Sequence, residues 1–425
     1  MEKIKNFLKH KTLSAFNYII TFVKWVFLAG ITGAFCGLIG AAFDISVDKA
    51  SETFSSHSYL IFALLPAGLI IIGLYKLCKV KPNVGTNDII SSIRTKDRVP
   101  FLLIPLVFVG TVLTHLGGGS AGREGAALQI GGGIGQQIGR VLDLDEKDMH
   151  LMTLCGMSGL FAALFGTPLT ATIFAIEVIS IGVIYYSALI PCLSSSLIAF
   201  YITKILGVKA VAFNIKDIPV AGGAVSVQVI ILAGICAAVS ILFCAAIHGS
   251  HKLFDKYIKN DFLRIAIGAA LIILLTLIFP DRRYNGTGMT IIKEAIEQGK
   301  ALPYDFVLKI VFTAITIGVG FRGGEMVPTF FIGATLGCTV GSLIGLSPSF
   351  GAAIGFVAMF CAVMNAPIAS IILSIEVFGT QGLLFFAIAC AVSYLLSGYY
   401  GLYTSQKIIY SKLKAEFINV DTKPL

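Results

Sequence analysis

Charged residues are scarce in this chain. Asp, Glu, Lys and Arg make up 13% of its 425 residues, whereas 56% of the residues are hydrophobic, and the mean hydropathy is +0.89. An average soluble domain carries about twice that share of charge. The composition therefore excludes an ordinary soluble domain and indicates an integral membrane protein.

Motifs for metal binding and covalent catalysis are also lacking. The nine cysteines are scattered, without a C-x-x-C pair or a histidine spacing typical of zinc sites. We interpret them as small apolar residues in helices. The sequence has no H-E-x-x-H motif, and we expect no G-x-S-x-G nucleophile. We therefore predict no metal, no cofactor and no enzymatic activity.

The charges that are present cluster at the chain ends and in short loops. The clustered lysines are Lys3, Lys5, Lys9, Lys11, Lys76, Lys79, Lys81, Lys407, Lys412 and Lys414. The formal net charge of +9 follows the positive-inside rule for membrane proteins and is no sign of nucleic-acid binding. We expect a multi-pass protein in the lipid bilayer of the cell membrane, with both termini in the cytoplasm.

Glycine is abundant, with 45 residues, and it interrupts the apolar stretches. Several stretches are shorter than the ~20 residues that a spanning helix needs, and others are long enough for two helices. We therefore expect broken or re-entrant helices that pack closely through small residues, rather than a plain bundle.

The densest glycine segment runs from Gly117 to Arg140 and surrounds Arg123-Glu124. The run from Gly125 is compatible with a helix, so Glu124 should lie at or just before a helix N-terminus, where unpaired N–H groups point outward. Two interpretations stay open for Glu124. It is either a capping carboxylate, or a carboxylate that occupies an amide-lined anion site and leaves it when protonated. An ionisable group at membrane depth favours the second interpretation.

The chain also repeats itself. Residues 156–178 match residues 355–377 at a constant offset, and the same offset pairs Arg123-x-Gly125 with Arg322-x-Gly324. A similar offset pairs Gly85 with Gly288, each of which precedes an apolar run. Two related halves with glycine-rich helix starts indicate a transporter site between discontinuous helices. Because helix N-termini favour anions, we infer a carrier or channel for a small anion.

These motifs resemble those of the CLC family of chloride channels and anion–proton antiporters. Gly122-Arg123-Glu124-Gly125-Ala126 is similar to the family's G-[KR]-E-G-P, whose Glu is the external gate and proton acceptor. Gly324-Glu325-Met326-Val327-Pro328 resembles its G-x-F-x-P motif. Val84 and Gly85 fall where the family has G-S-G-I-P, and Tyr403 matches the tyrosine that contacts the central anion.

The resemblance implies an all-α membrane fold of about 18 tilted and re-entrant helices in two inverted halves, assembled as a homodimer with one pathway per subunit. We place a basic segment at 1–15, the two halves at 16–207 and 208–410, and a short cytoplasmic tail without CBS domains at 411–425. The resemblance also implies gating and proton transfer by Glu124 and Glu325. The implied anion-binding residues are Val84, Gly85, Gly122, Arg123, Gly125, Ala126, Met326, Val327 and Tyr403.

Departures from the common pattern point to one branch of the family. Val84 replaces the serine whose hydroxyl touches the anion, and Val178 stands where chloride–proton antiporters carry an internal proton Glu. Glu325 replaces an apolar residue. The fluoride–proton antiporter branch is similar on these points, although Val327 stands where that branch has Thr.

We therefore predict a proton-coupled halide antiporter that exports fluoride. Fluoride is strongly hydrated and needs strong donors, which protonated carboxylic acids provide. A chloride channel or chloride–proton antiporter of the same family, a membrane-embedded enzyme and a scaffolding protein stay as alternatives. At the level of residues, Glu325 could instead pair with Arg322, Glu177 and Glu376 are expected to cap or bridge helices, and His115 to be satisfied within its helix.

Overall fold

The computed structural model describes the backbone of residues 2–82, 84–95 and 97–423, with side chains from residue 16 onward. Within these ranges the chain forms sixteen α-helices and three short strands. The α-helices are α1 (Glu2–Ser56), α2 (Leu64–Leu77), α3 (Thr86–Ser92), α4 (Leu103–Leu116), α5 (Glu124–Val141), α6 (Glu146–Phe165), α7 (Pro168–Glu177), α8 (Leu189–Ile205), α9 (Gly223–Tyr257), α10 (Asp261–Ile278), α11 (Met289–Lys293), α12 (Asp305–Gly318), α13 (Met326–Leu343), α14 (Pro348–Met364), α15 (Pro367–Phe378) and α16 (Leu383–Leu396). The strands are β1 (Ser180–Ile181), β2 (Lys407–Tyr410) and β3 (Phe417–Asp421).

The helices fall into two sets of eight, α1–α8 and α9–α16, with a similar pattern of lengths along the chain. In both sets a short helix after a glycine, α3 or α11, precedes a glycine-rich loop and a long pair of helices. The pairs are α5 with α6 and α13 with α14. This correspondence confirms the two related halves that the sequence repeat predicts.

Reciprocal caps show that the two halves are inverted. Glu376, near the end of α15, accepts hydrogen bonds from the amides of Leu169 and Thr170 in the first turn of α7, at 2.9 and 2.8 Å. Glu177, at the end of α7, accepts from the amides of Ile368 and Ala369 in the first turn of α15, at 3.1 and 2.8 Å. Each helix therefore ends beside the start of the other, and the capping role expected for these glutamates is confirmed.

Glycines allow the long helix pairs to pack backbone against backbone. A Cβ added to Gly156 of α6 would lie 1.9 Å from the carbonyl oxygen of Gly131 in α5. In the second half, a Cβ on Gly355 would lie 2.1 Å from the carbonyl oxygen of Gly333. Such close contacts are typical of helices packed in lipid, where small residues let the backbones approach.

The lengths of the helices fit a membrane protein with irregular spans. Among the described residues, seven helical segments are long and apolar enough to cross a bilayer, and five further apolar helices are shorter, with 10–17 residues. The expectation of a multi-pass membrane protein with broken helices is confirmed. The described helices number sixteen rather than the eighteen or so that the resemblance implied, partly because α1 runs unbroken from the basic N-terminal segment into the first span.

The end of the chain is not helical. Strand β2 pairs in parallel with β1 and antiparallel with β3, which makes a three-stranded sheet. The all-α expectation missed this sheet, and residues 411–425 are more than a plain tail because they contain β3. The cause is local, since the strand segments Lys-Ile-Ile-Tyr and Phe-Ile-Asn-Val are rich in β-branched and aromatic residues.

Candidate anion and proton site

The starts of two helices meet at the centre of the candidate site. The amide of Gly122 donates to the carbonyl of Gly324 at 2.6 Å, and the amide of Gly324 donates back at 2.7 Å. Only glycine permits this approach, because a Cβ on Gly324 would lie 2.3 Å from the backbone nitrogen of Gly125. The N-termini of α5 and α13 therefore converge, and both direct partial positive charge and N–H groups toward the same place.

Glu124 is the first residue of α5 and is 2% exposed. One of its carboxylate oxygens lies 3.1 Å from the amide nitrogen of Arg123, and the other lies 3.8 Å from the Arg123 Nε. The carboxylate therefore accepts a hydrogen bond from a backbone amide at the start of α5, where helix N-termini favour negative charge, and its role as an anion gate stays a prediction.

Arg123 is held mainly by α1 rather than by Glu124. Its Nη1 lies 2.6 Å from a carboxylate oxygen of Asp44 and 2.6 Å from one of Asp48. Asp44 is buried, so this pair replaces water around both groups. Because Arg123 already has two closer acids, the more distant Glu124 can move without leaving a buried cation unpaired.

Glu325 precedes the first turn of α13 and forms no ion pair with another described side chain. Its Oε2 is buried without a hydrogen-bond partner in the described part of the chain, and a Cβ on Gly125 would lie 3.1 Å from that oxygen. Since an ionised carboxylate is costly in such a place, Glu325 is suited to be protonated or to face a ligand.

Arg322 is not the partner of Glu325, so the salt bridge that the sequence left open is wrong. Its guanidinium donates to the carbonyls of Pro82 and Val84 and lies 4.1 Å from the ring centre of Tyr75. Arg322 therefore ties the loop before α3 to the start of α13 and brings a positive charge to the wall of the site.

The start of α3 is the third helix N-terminus at the site, as the sequence predicts. Gly85 is the residue before the helix, and its amide donates to the Asp88 carboxylate at 2.8 Å. The Thr86 hydroxyl contacts the carbonyl of Gly125 at 3.4 Å and receives a hydrogen bond from Gln129 at 3.1 Å. These contacts fix α3 against the start of α5.

A cavity of about 260 Å³ joins these elements. Val84, Gly85, Glu325 and Tyr403 line it together, and the hydroxyl of Tyr403 is buried without a partner in the described residues. Gln129 and Arg322, which also line the cavity, each have one further buried polar atom without a partner in the described residues. The cavity therefore holds unused hydrogen-bonding groups, among them one acid and one phenol. A cavity of this size has room for an anion and several waters.

The other predicted site residues belong to the starts of α5 and α13 but do not line this cavity. Gly122 is next to Val327, since an added Cβ there would lie 3.0 Å from that side chain. Met326 and Val327 are buried in the first turn of α13. The remaining members of this group, which adjoin the cavity but do not line it, are Arg123, Glu124, Gly125 and Ala126.

Three polar residues of α9 also line the cavity, and the sequence analysis missed them. They are His248, His251 and Asp255. A signal was present, because polar residues three and four positions apart on an otherwise apolar helix share one face. His115 was interpreted correctly: its ring nitrogens lie 2.8 and 3.1 Å from the carbonyl oxygens of Thr111 and Ala121.

Ser120 lies in a G-x-S-x-G string, which we did not expect in this sequence. Gly118-Gly119-Ser120-Ala121-Gly122 matches G-x-S-x-G, so the expectation that no such string occurs is wrong. Ser120 is nevertheless not activated as a nucleophile, because its buried hydroxyl contacts the Thr313 hydroxyl at 3.0 Å. The nearby His115 contacts backbone carbonyls instead, and a nucleophile needs an adjacent base.

Among the described residues, no group of three His, Cys, Asp or Glu side chains is arranged to hold a metal ion. A larger cavity of about 420 Å³, lined by Arg98, Arg140 and His150 among others, lies apart from the converging helix starts. The groups that the converging helix starts offer are carboxylic acids, a phenol and backbone N–H groups, which can bind anions and protons.

Comparisons with known proteins agree with this geometry. The profile of the voltage-gated chloride channel family matches residues 67–398. A "Chloride/fluoride channel protein" of Pseudomonas syringae pv. tomato is 35% identical over 418 residues, which cover 96% of this chain and 91% of that protein.

Two solved structures share the fold. A CLC-type fluoride/proton antiporter superimposes with a TM-score of 0.87 at 33% identity, over 90% of this chain and 98% of that one. A slow cyanobacterial chloride/proton antiporter superimposes with a TM-score of 0.76 at 20% identity, over 88% and 94% of the two chains. At that identity the second likeness concerns the fold alone.

Proposed function

The chain belongs to the voltage-gated chloride channel (CLC) family, and from this premise we propose that it exports fluoride across the cell membrane in exchange for protons. Members of this family are channels and transporters rather than enzymes. The site residues fit such a role because they offer binding groups and proton-carrying groups without a nucleophile.

The observation that carries the proposal is the position of Glu325. Its buried carboxyl oxygen has no partner and lies at a helix start, in the cavity that Tyr403 also lines. When protonated, this acid donates a short, charge-assisted hydrogen bond to an anion. When ionised, it repels the anion. A single group can thus bind and release the ion as it gains and loses a proton.

A protonated Glu325 in this cavity favours the binding of fluoride over chloride. Fluoride is smaller and more basic, so it gains more from a strong O–H donor, whereas chloride is satisfied by amides and a neutral hydroxyl. Val84 offers no such hydroxyl. A hundredfold preference requires about 2.7 kcal/mol of differential binding, which is within reach of one or two hydrogen bonds to a charged partner.

The proposed cycle couples the two ions through Glu124 and Glu325. Ionised Glu124 occupies the amides at the start of α5. Its protonation frees them for fluoride, which Glu325 then holds from the other side as a protonated acid. Loss of the Glu325 proton expels the anion. In this cycle the proton reaches Glu124 from the outside and leaves Glu325 toward the cytoplasm, whereas fluoride passes outward, so protons and fluoride move in opposite directions.

The positions of the lysines indicate how the protein is oriented in the membrane. Lys76 forms an ion pair with Asp261, which places the ends of α2 and α9 and the start of α10 on one face of the molecule, together with Lys79, Lys81, Lys256 and Lys259. We call this the basic face. Pro82 and Asp255, which are next to Lys81 and Lys256 in the chain, line the 260 Å³ cavity, so we place its opening on the basic face. By the positive-inside rule the basic face is cytoplasmic, so fluoride enters from the cytoplasm.

One observation favours the alternative of a chloride channel or chloride–proton antiporter. Val327 stands where the fluoride branch has a polar Thr, so the first turn of α13 gives one hydroxyl less for a small anion. Release of fluoride and of chloride from proteoliposomes, each followed with an ion-selective electrode, separates the two. We expect fluoride release to be faster by about a hundredfold. Equal rates would favour the chloride alternative.

A further inference from the structure

The cytoplasmic cavity contains two groups that the proposed cycle does not use. His248 and His251 lie three residues apart on α9, and Asp255 follows four residues later, so the three share one face of the helix. All three line the same 260 Å³ cavity as Glu325. The next residue inward on α9, Ile247, is buried and apolar. The polar strip therefore covers only the end of α9 toward the basic face.

We propose that His248 and His251 carry protons between the water at the basic face and Glu325. The inference rests on the proposed function, because it gives the exchanged proton a route between Glu325 and the cytoplasm. It assigns these two residues as positioning and relay groups for protons and leaves anion binding to the helix starts.

His248 is oriented for this role by the backbone. Its Nε2 lies 3.1 Å from the carbonyl oxygen of Gly401, two residues before Tyr403. A carbonyl only accepts, so Nε2 carries a hydrogen in both the neutral and the charged ring. The proton that the ring gains or loses is therefore the one on Nδ1. This contact fixes the ring through Nε2 and leaves Nδ1 available to gain and lose a proton.

His251 lies at the mouth of the cavity. Its residue is exposed, and no hydrogen bond to its ring occurs within the described part of the chain. Asp255, one turn further out, pairs with Arg264 of α10. Of the two, His251 is therefore the group whose ring is left to exchange a proton with water at the mouth of the cavity.

Cations on the surrounding elements lie close to the two histidines. Arg322, before α13, lines the same cavity, Arg264 of α10 pairs with Asp255, and Lys252 follows His251 in the chain. Repulsion from these cations keeps a protonated ring short-lived. Asp88 of α3 is the acid on the opposite wall, and its carboxylate already accepts from the Gly85 amide.

The proton balance of each step is simple. A protonated Glu325 gives its proton, through cavity water, to Nδ1 of His248, and becomes the carboxylate that expels fluoride. His248 passes the proton to His251, which releases it to the cytoplasm, and both rings return to the neutral form. The cavity has room for several bridging waters, and no other bond forms or breaks.

Fluoride-driven proton uptake into proteoliposomes tests the relay. The variants are His248→Gln, His251→Gln and the double variant, since glutamine can keep the contact with Gly401 but cannot titrate. His150→Gln is the matched control, because His150 lines the separate 420 Å³ cavity. We expect the double variant to turn over about tenfold more slowly near neutral pH, with unchanged fluoride binding by calorimetry, and the control to match the wild type.

Added imidazole gives the decisive readout, because it can stand in for a missing proton carrier but cannot repair a packing defect. We expect it to restore turnover in the double variant. Unchanged proton uptake in that variant, or a slow variant that imidazole does not restore, overturns the relay and leaves the antiporter standing. A wild-type protein that moves fluoride without protons overturns the proposed function, and the relay with it.

Discussion

Glu124 and Glu325 stand at the starts of two helices but have different neighbours. Glu124 contacts a backbone amide and lies near Arg123, whereas the Glu325 Oε2 has no partner in the described residues. A carboxylate with partners is stable when ionised, and one without partners is stable when protonated. The two acids therefore have different surroundings, which fits the separate roles that the proposed exchange cycle gives them.

We predict that Glu124→Gln abolishes proton coupling. Glutamine has the shape of the protonated acid but cannot release a proton, so the gate stays in one state. Proton uptake driven by a fluoride gradient measures the effect, and it should fall to the level of empty liposomes. A Glu124→Gln protein that still moves protons uphill would show that Glu124 is not the proton carrier.

Glu325 should determine fluoride transport. Glu325→Ala removes the acid donor and should lower fluoride flux by a factor of about 100, if it contributes the 2.7 kcal/mol that such a preference requires. Glu325→Gln should keep fluoride binding but slow turnover, because the ionised state that expels the anion is gone. Ion-selective electrodes measure the flux and calorimetry measures the binding. Unchanged fluoride flux in the alanine variant would contradict this role.

At the residue scale, the sequence predicts which residues stand at helix starts better than it predicts which residues contact one another. The motifs placed Glu124 and Gly85 at helix starts, as the structure has them, because glycine and acid patterns at N-termini are local signals. The partner of Arg322 was wrong and the histidines of α9 were missed, because both depend on a contact between distant segments. Arg322 reaches the carbonyls of Pro82 and Val84, more than two hundred positions away.

Helix pairs held by glycine form the frame of each half. The α5–α6 and α13–α14 pairs bring backbones together at Gly131–Gly156 and Gly333–Gly355, so the helix starts before them are held rigidly. The reciprocal caps of Glu177 and Glu376 then fasten one half to the other. Small shifts in these pairs would move both N-termini at the candidate site.

We predict that Gly156→Ala destabilises the protein by about 1–3 kcal/mol, since the added methyl must push α5 and α6 apart. The matched control is Gly73→Ala in α2, where an added Cβ meets no atom within 4 Å. That change should be neutral or stabilising by up to about 1 kcal/mol. Thermal unfolding in detergent measures both. Equal midpoints for the two variants would contradict the proposed role of the close backbone contact.

The sequence predicts helices well where an apolar stretch or an internal repeat marks them. The repeat of residues 156–178 and 355–377 gave α6–α7 and α14–α15. The sequence did not show that the second half is inverted in the membrane relative to the first. A repeated sequence reads the same whether the two copies run in the same or in opposite directions across the bilayer. The sheet of β1, β2 and β3 was missed for a related reason: β1 has two residues and pairs with strands more than two hundred positions later.

At the scale of the whole molecule, the family membership carries an expectation about assembly. We predict a homodimer whose subunits transport independently, because each chain contains its own converging helix starts and its own cavity. Crosslinking in membranes should give a dimer, and a heterodimer of wild-type and inactive subunits should keep about half of the wild-type rate. Only monomers on crosslinking, or a heterodimer with full or no activity, would count against it.

The central claim is that fluoride and protons exchange through one pathway, and the most direct test is proton movement driven by fluoride alone. Purified protein is reconstituted into liposomes loaded with fluoride, with equal pH on both sides and the membrane potential clamped. The account predicts that protons enter as fluoride leaves and continue to enter against an opposing proton gradient, whereas an equal chloride gradient drives little uptake. Fluoride that leaves without any proton uptake, or chloride that drives protons equally well, would contradict it.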